Sequence, residues 1–111
     1  MIRQALFAAI AAVMLTGCGT VRTYRFPLDR PAAPSASRPA VFFEGTLPST
    51  SMRELVMVES VGTGTKASTE TVVTALQDEA ARWGADAIVR VKVDCAYSQC
   101  HAWGVAVQYV R

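Results

Sequence analysis

The amino terminus is the feature that most limits what this chain can fold into. Residues 1–4 carry one positive charge, and an unbroken apolar run from Ala5 to Leu15 follows them. The run is too short to cross about 30 Å of hydrocarbon, which takes about 20 residues of helix. A charged start, a short apolar run and small residues at the end are typical of a cleavable signal peptide. We therefore predict a signal peptide over residues 1–17, so that only residues 18–111 remain to fold.

The apolar run ends in Leu15-Thr16-Gly17-Cys18, which resembles the lipobox of bacterial lipoprotein precursors. That resemblance implies cleavage after Gly17, a diacylglyceryl group on the sulfur of Cys18, and a new amino group that is open to acylation. Two or more acyl chains attach a protein stably, since each buried methylene contributes ~0.8 kcal/mol. In some Gram-negative bacteria an aspartate directly after the cysteine retains a lipoprotein in the inner membrane. This chain has Gly19 at that position, so the expected location is the cell envelope, on the outer membrane facing the periplasm.

Residues 18–40 are expected to be a disordered tether behind the lipid. The stretch from Pro27 to Pro39 has four prolines and no apolar period of two or of 3.6. A polyproline-like chain at ~3.1 Å per residue would hold the domain roughly 70 Å from the bilayer at most. Asp29 is the one acid of the tether, against four arginines that suit an anionic membrane surface: Arg22, Arg25, Arg30 and Arg38. From Val41 onward eight acids face six bases, so nucleic acid is not an expected partner.

A single helix is the most regular element that the sequence predicts. Ser68 or Thr69 can cap its start, and Glu70 places an acid at the positive end of the helix dipole. Gly84 stands where a left-handed C-terminal residue belongs. One apolar stripe recurs at three- and four-residue intervals: Val72, Val73, Leu76, Ala80 and Trp83. The face opposite the stripe is expected to be solvated: Gln77, Asp78, Glu79 and Arg82.

Four short strands are predicted around this helix, and residues 41–45 and 53–61 form the first two. From Ala87 the apolar residues recur at every second position, which is typical of a strand. One face would be formed by Val89, Val91, Val93 and Cys95, and the other by Arg90, Lys92 and Asp94. A second alternating run completes a hairpin: Trp103, Val105, Val107 and Tyr109. The order β-β-α-β-β predicts a small two-layer α+β domain over residues 41–111, in which one helix packs across an antiparallel sheet.

Two segments of this domain resemble a known family. They are residues 76–91, where a helix runs into Gly-Ala-Asp-Ala and a valine-rich strand, and the segment Trp103-Gly104-Val105-Ala106-Val107. They look like the YbjQ-type family, which is described as heavy-metal-binding, and like its lipoprotein relatives, among them the stress-sensor lipoprotein of the Rcs pathway. The resemblance spans roughly Leu55 to Val110. It implies an α+β fold and points weakly to function, because these relatives include oligomers of unknown role and a sensor.

Two cysteines lie at the inner ends of the predicted hairpin. At Cys95 and Cys100, facing Cβ atoms of an antiparallel pair can come within disulfide distance. Export to an oxidising compartment favours a disulfide, which would staple a small domain. A second interpretation takes Cys95, Cys100 and His101 as soft ligands for Cu(I) or Zn²⁺, with a partner or a second copy completing the site. That alternative describes a periplasmic metal-binding or redox protein.

No residue set in the chain predicts catalysis. His101 is the one base that could activate a nucleophile, and it sits on the loop beside the cysteines. Carboxylates that could work as an acid and base pair fit better as charges on strand faces: Glu44, Glu54, Glu59 and Asp94. The hypothesis from sequence is a membrane-anchored, non-enzymatic interaction or sensor-like module of the cell envelope. It has no cofactor, and its partner is another envelope protein or a second copy of itself.

Overall fold

The computed structural model describes residues 18–35 and 37–110, so the predicted signal peptide lies outside the described residues. One helix packs across a mixed five-stranded sheet, which confirms the predicted α+β class. The elements are β1 (Gly19–Pro27), β2 (Ala40–Phe43), β3 (Met52–Gly64), α1 (Thr69–Arg82), β4 (Ala87–Ala96) and β5 (Gln99–Tyr109). The strand order across the sheet is β1-β3-β5-β4-β2. All neighbouring strands are antiparallel except β2 and β4.

The helix begins and ends where the sequence predicts. The Ser68 hydroxyl accepts a hydrogen bond from the Thr71 backbone N–H and so caps the first turn. Gly84 takes a left-handed backbone (φ +74°) just after the last turn. The centre of the predicted stripe is fully buried against the sheet: Val72, Leu76 and Ala80. Burial of this stripe fixes the helix across β3, β5 and β4.

The prediction of a disordered tether is wrong for its first part, because Gly19–Pro27 forms the edge strand β1. It pairs with β3 along its whole length, from Gly19 opposite Gly64 to Pro27 opposite Val56. The element order is therefore β-β-β-α-β-β, and the folded unit begins well before residue 41. Eight of the nine residues of β1 are exposed, so burial imposes no apolar alternation on this strand. The sequence pattern consequently gives no signal for it.

The rest of the predicted tether, residues 28–35 and 37–39, is called the strap below. It has no regular secondary structure, yet it crosses the C-terminal end of α1. The backbone N–H of Ala32 donates to the Trp83 carbonyl and that of Ser35 to the Ala81 carbonyl, each at 2.9 Å. The strap carries the chain from β1 at one sheet edge to β2 at the other. Because of this crossing β2 runs parallel to β4, and the prediction of a wholly antiparallel sheet is wrong.

The start of the strap is fixed to β3 by backbone and side-chain contacts. The backbone N–H groups of Leu28 and Asp29 both donate to the Leu55 carbonyl, at 3.0 and 3.1 Å. The Arg53 guanidinium lies 2.7 Å from the Asp29 carboxylate. This hydrogen bond, with that from the Arg30 backbone N–H, lowers the pKa of Asp29 below its ordinary value. The strap is therefore a packed part of the domain.

A buried carboxylate joins β1 to the helix. The Glu79 side chain is 3% exposed, and its two oxygens accept from Arg25 of β1 at 3.0 Å and from Arg82 at 2.8 Å. The prediction that Glu79 belongs to a solvated helix face is wrong, because β1 and its arginine cover that flank of α1. The neighbouring Asp78 does stay exposed and lies 3.6 Å from Arg38 of the strap.

Replacing Glu79 with alanine is expected to lower the free energy of unfolding by about 1–2 kcal/mol. The change removes two charge-assisted hydrogen bonds, each weakened because the arginines stay in contact with water. Urea unfolding measures the loss, and hydrogen exchange of the β1 amides should accelerate as the edge strand loosens. Asp78→Ala is the matched control, with a change within about 0.5 kcal/mol. Equal effects of the two substitutions would contradict this role of Glu79.

A β-bulge in β4 sets which side chains face the helix. Arg90 has a left-handed backbone (φ +54°), and the pairing with β5 shifts between Val89 and Lys92. Two residues therefore oppose one at this point, and the alternation of faces reverses. Val89 lies on the sheet face away from α1, whereas Val91 packs into the core under the helix. The predicted grouping of Val89 with the other β4 valines is wrong for this reason.

Candidate functional site

The sheet face turned away from α1 is called the open face below. Register and the alternation of side chains place three rows on it. The rows are Phe26, Met57, Val105 and Val89; Tyr24, Glu59, Trp103 and Lys92; and Arg22, Val61, His101 and Asp94. On β5 the residues under the helix are instead small: Cys100, Ala102, Gly104 and Ala106. The large side chains of β5 thus lie on the side that no helix covers.

A groove of about 580 Å³ lies on the open face. Met57, Trp103 and Val105 form its floor, and Leu47 borders it from the connection between β2 and β3. The rim is charged, but each cation of the rim has a carboxylate partner. Lys92 lies 3.1 Å from Glu44 and Arg90 lies 3.5 Å from Glu54. An apolar floor inside internally paired charges fits an uncharged, apolar occupant.

The open face leaves large apolar side chains in contact with water. Tyr24 is 44% exposed, Phe26 53% and Met57 40%, and they belong to adjacent rows of β1 and β3. Leu47 beside them is 55% exposed. Farther along the same face a cluster of Ala87, Val89 and Val107 is buried by residues of the domain itself. Contiguous exposed apolar area of this kind marks interaction sites more often than scattered residues do.

His101 lies on the open face and is held by its neighbours. Its Nε2 atom is 2.6 Å from Oε1 of Glu59, on the adjacent strand β3. Its ring also lies 4.8 Å, centroid to centroid, from the Trp103 ring, at an angle of 50°. No nucleophile is among these contacts. The arrangement therefore orients the imidazole as part of the surface beside the groove.

The structure joins Cys95 and Cys100 in a disulfide across the β4–β5 hairpin, with Cα atoms 4.1 Å apart. Cys100 is buried under α1, and the Cys95 sulfur lies 3.8 Å from the Thr69 hydroxyl at the start of that helix. His101 points to the opposite sheet face, because neighbouring residues of a strand alternate. The alternative metal set of Cys95, Cys100 and His101 is thus not brought together. Within residues 18–35 and 37–110 no group of three potential ligands could hold a metal ion.

The double variant Cys95→Ser, Cys100→Ser is expected to lower the free energy of unfolding by ~2 kcal/mol. The disulfide restricts the unfolded chain, so the unfolded state gains conformational entropy when the crosslink is removed. Urea unfolding with and without a reductant measures the effect. The reductant should destabilise the parent protein by a similar amount and leave the variant unchanged. A parent protein whose non-reduced mass shows two free thiols would contradict the prediction.

Cys18, the predicted lipid attachment point, is exposed and takes no part in the disulfide. Its backbone carbonyl accepts a hydrogen bond from the Thr65 backbone N–H at 3.2 Å, so the residue is attached to the loop between β3 and α1. The one helix of the described residues, α1, is not long and apolar enough to cross a membrane.

Sequence reasoning missed most of the groove. Met57 and Lys92 belong to runs that predict strands and nothing more, and Leu47 lies between two predicted strands. The hairpin pattern did supply Trp103, but the alternation by itself does not tell which side of β5 the helix covers. Small residues at every second β5 position are the one clue, since a helix packs closely against small side chains. Comparison of the chain with protein-family models, curated proteins and solved structures found no match.

Proposed function

We propose that this protein is a lipid-anchored, non-enzymatic module of the bacterial cell envelope that binds another envelope protein through its open face. The observation that carries the proposal is the groove floored by Met57, Trp103 and Val105 within an exposed apolar surface. The lipobox at Leu15-Thr16-Gly17-Cys18 supports the anchor, with the outer membrane, facing the periplasm, as the expected location.

The chemistry of the groove favours one kind of occupant, a large apolar side chain on a loop or strand of a protein partner. A charged small molecule would have to break the pairs Lys92–Glu44 or Arg90–Glu54, which already satisfy the rim. Trp103 is half-buried in the groove, and an aromatic residue at the centre with polar and charged residues around it is the usual composition of a protein interface. Trp103 would then be the residue whose truncation weakens binding most.

Site-specific photo-crosslinking in intact cells tests this proposal. A photoreactive amino acid at Met57 should give a discrete crosslinked product with one envelope protein, and Trp103→Ala should reduce its yield about tenfold or more. The matched control carries the same probe at Asp78, which is exposed on the helix side of the molecule. A product at both positions, or none at Met57, would refute the proposal. A product of twice the monomer mass would replace the envelope partner with a second copy of this chain.

A further inference from the structure

Three chain segments meet at one end of the sheet. The Thr65 backbone N–H donates to the Cys18 carbonyl at 3.2 Å, and the Gly64 backbone N–H donates to the Ser98 carbonyl at 3.0 Å. Residues 64 and 65, where β3 runs into the loop before α1, therefore contact Cys18 on one side and the turn of the β4–β5 hairpin on the other. This surface, formed by Cys18, residues 64–66 and residues 97–98, is called the Cys18 end below.

The most exposed aromatic residue at this end is Tyr97, at the tip of the hairpin turn. Its relative exposure is 108%, so packing within the domain does not account for it. Its backbone is left-handed (φ +58°), a conformation that glycine or asparagine would adopt at lower cost. Neither the turn nor the core thus explains a tyrosine at this position. A tyrosine at the same end of the sheet as an acylated residue does have a physical use, because its ring is amphipathic and prefers the membrane interface.

We propose that the Cys18 end is a membrane-contacting surface, in which Tyr97 enters the headgroup region of the same bilayer that holds the lipid of Cys18. The inference rests on the proposed lipidation of Cys18. Lipidation alone would allow any orientation of a tethered domain. The fixed contact between Cys18 and the loop at Thr65 removes that freedom, because no flexible tether separates the lipid from the fold.

Charge adds little to this contact. Two exposed cations lie at or near this end, Lys66 in the loop and Arg22 of β1. Two exposed acids accompany them, Glu70 in the first turn of α1 and Asp94, which shares a row of the open face with Arg22. Opposite charges in similar number neither attract nor repel an anionic surface strongly. The contact should consequently depend on the aromatic ring and persist at high salt.

The contact would fix the height of the open face above the bilayer. Strand β1 begins next to Cys18, and a strand rises about 3.3 Å per residue. Tyr24, which shares a row with Trp103, would stand within about 20 Å of the lipid surface, and Pro27 at about 30 Å. The distance between the groove and the bilayer would then be well below the roughly 70 Å that an extended tether allows. The groove would therefore face partners that lie close to the same membrane.

Fluorescent labels on the mature, lipidated protein test the inference. The protein is purified from membranes, its acyl groups are established by intact mass, and it is reconstituted into vesicles of phosphatidylethanolamine and phosphatidylglycerol. An environment-sensitive dye is attached at Ser98→Cys, which leaves Tyr97 in place, or at Lys66→Cys. The control label is at Ser51→Cys, an exposed position whose backbone carbonyl accepts from the Val110 N–H at 2.9 Å, at the opposite end of the sheet.

The expected result is a blue-shifted emission and at least about threefold slower iodide quenching at positions 98 and 66 than at position 51. Adding Tyr97→Ala should return position 98 to the behaviour of position 51, while flotation with the vesicles stays unchanged. Equal quenching at all three positions in protein that floats would overturn the membrane contact and leave the lipid anchor intact. A chain without acyl groups that fails to float would overturn the anchor and the contact together.

Discussion

Substitution of Cys18 by serine is expected to move the protein from the membrane fraction into the soluble periplasmic fraction almost completely. Serine cannot form the thioether that would carry the proposed diacylglyceryl group, and an acyl chain contributes ~0.8 kcal/mol for every buried methylene. The fold should not change, because the bond from Thr65 reaches the backbone carbonyl of residue 18 and not its side chain. Fractionation with a carbonate wash measures location, and urea unfolding should differ from the parent by less than about 0.5 kcal/mol.

The paired cysteines provide the matched control for this experiment. The variant Cys95→Ser, Cys100→Ser should stay in the membrane fraction and lose stability, which is the reverse of the Cys18→Ser result. One variant would change location and keep stability, and the other would change stability and keep location. This pair of results would exclude a general effect of removing cysteines. A Cys18→Ser protein that remains bound after a carbonate wash would show that something other than an acyl group holds the chain.

Shortening Leu76 to alanine should have the largest effect on stability, a loss of about 3 kcal/mol in the free energy of unfolding. Leu76 is fully buried in the core cluster between α1 and the sheet, so the change removes apolar contacts and leaves a cavity. Native domains are stable by only about 5–15 kcal/mol, which makes this a large fraction of the total. Urea unfolding followed by circular dichroism measures it.

Leu47→Ala is the control, because Leu47 is 55% exposed beside the groove. That change should alter stability by less than about 0.5 kcal/mol, yet it should lower the crosslinking yield at Met57 if the groove binds a partner. A loss at Leu76 below about 1 kcal/mol would mean that α1 does not pack as the structure describes.

Local patterns predicted the elements whose residues are buried on one side. Helix α1 is predicted by its apolar period, its serine cap and the glycine after its end. Each of these signals depends on a few consecutive residues. The β4–β5 hairpin follows from two alternating runs, and its register places Cys95 opposite Cys100. Apart from Val89 and Glu79, the side-chain pattern and the structure agree in these elements, because burial on one face selects the pattern.

The errors fall where a segment packs through few side chains or through its backbone. Strand β1 is held by main-chain hydrogen bonds to β3 and by Arg25 reaching Glu79, so its residues carry no apolar period. The strap is held by its own backbone N–H groups, which donate to the Trp83 and Ala81 carbonyls, and backbone hydrogen bonds leave no trace in side-chain composition. One bulge residue, Arg90, then moved Val89 to the other sheet face.

The sequence by itself determined the helix, the hairpin and the facing cysteines, because each depends on residues close together in the chain; it also predicts the lipobox at residues 15–18. Only the tertiary structure decided which sheet face stays uncovered, and so brought Met57, Trp103 and Val105 into one groove. It alone also placed Cys18 and the turn that carries Tyr97 at the same end of the sheet, through their separate bonds to Thr65 and Gly64. Contacts of this kind join residues far apart in the chain, and their energies depend on how α1 and the sheet pack together.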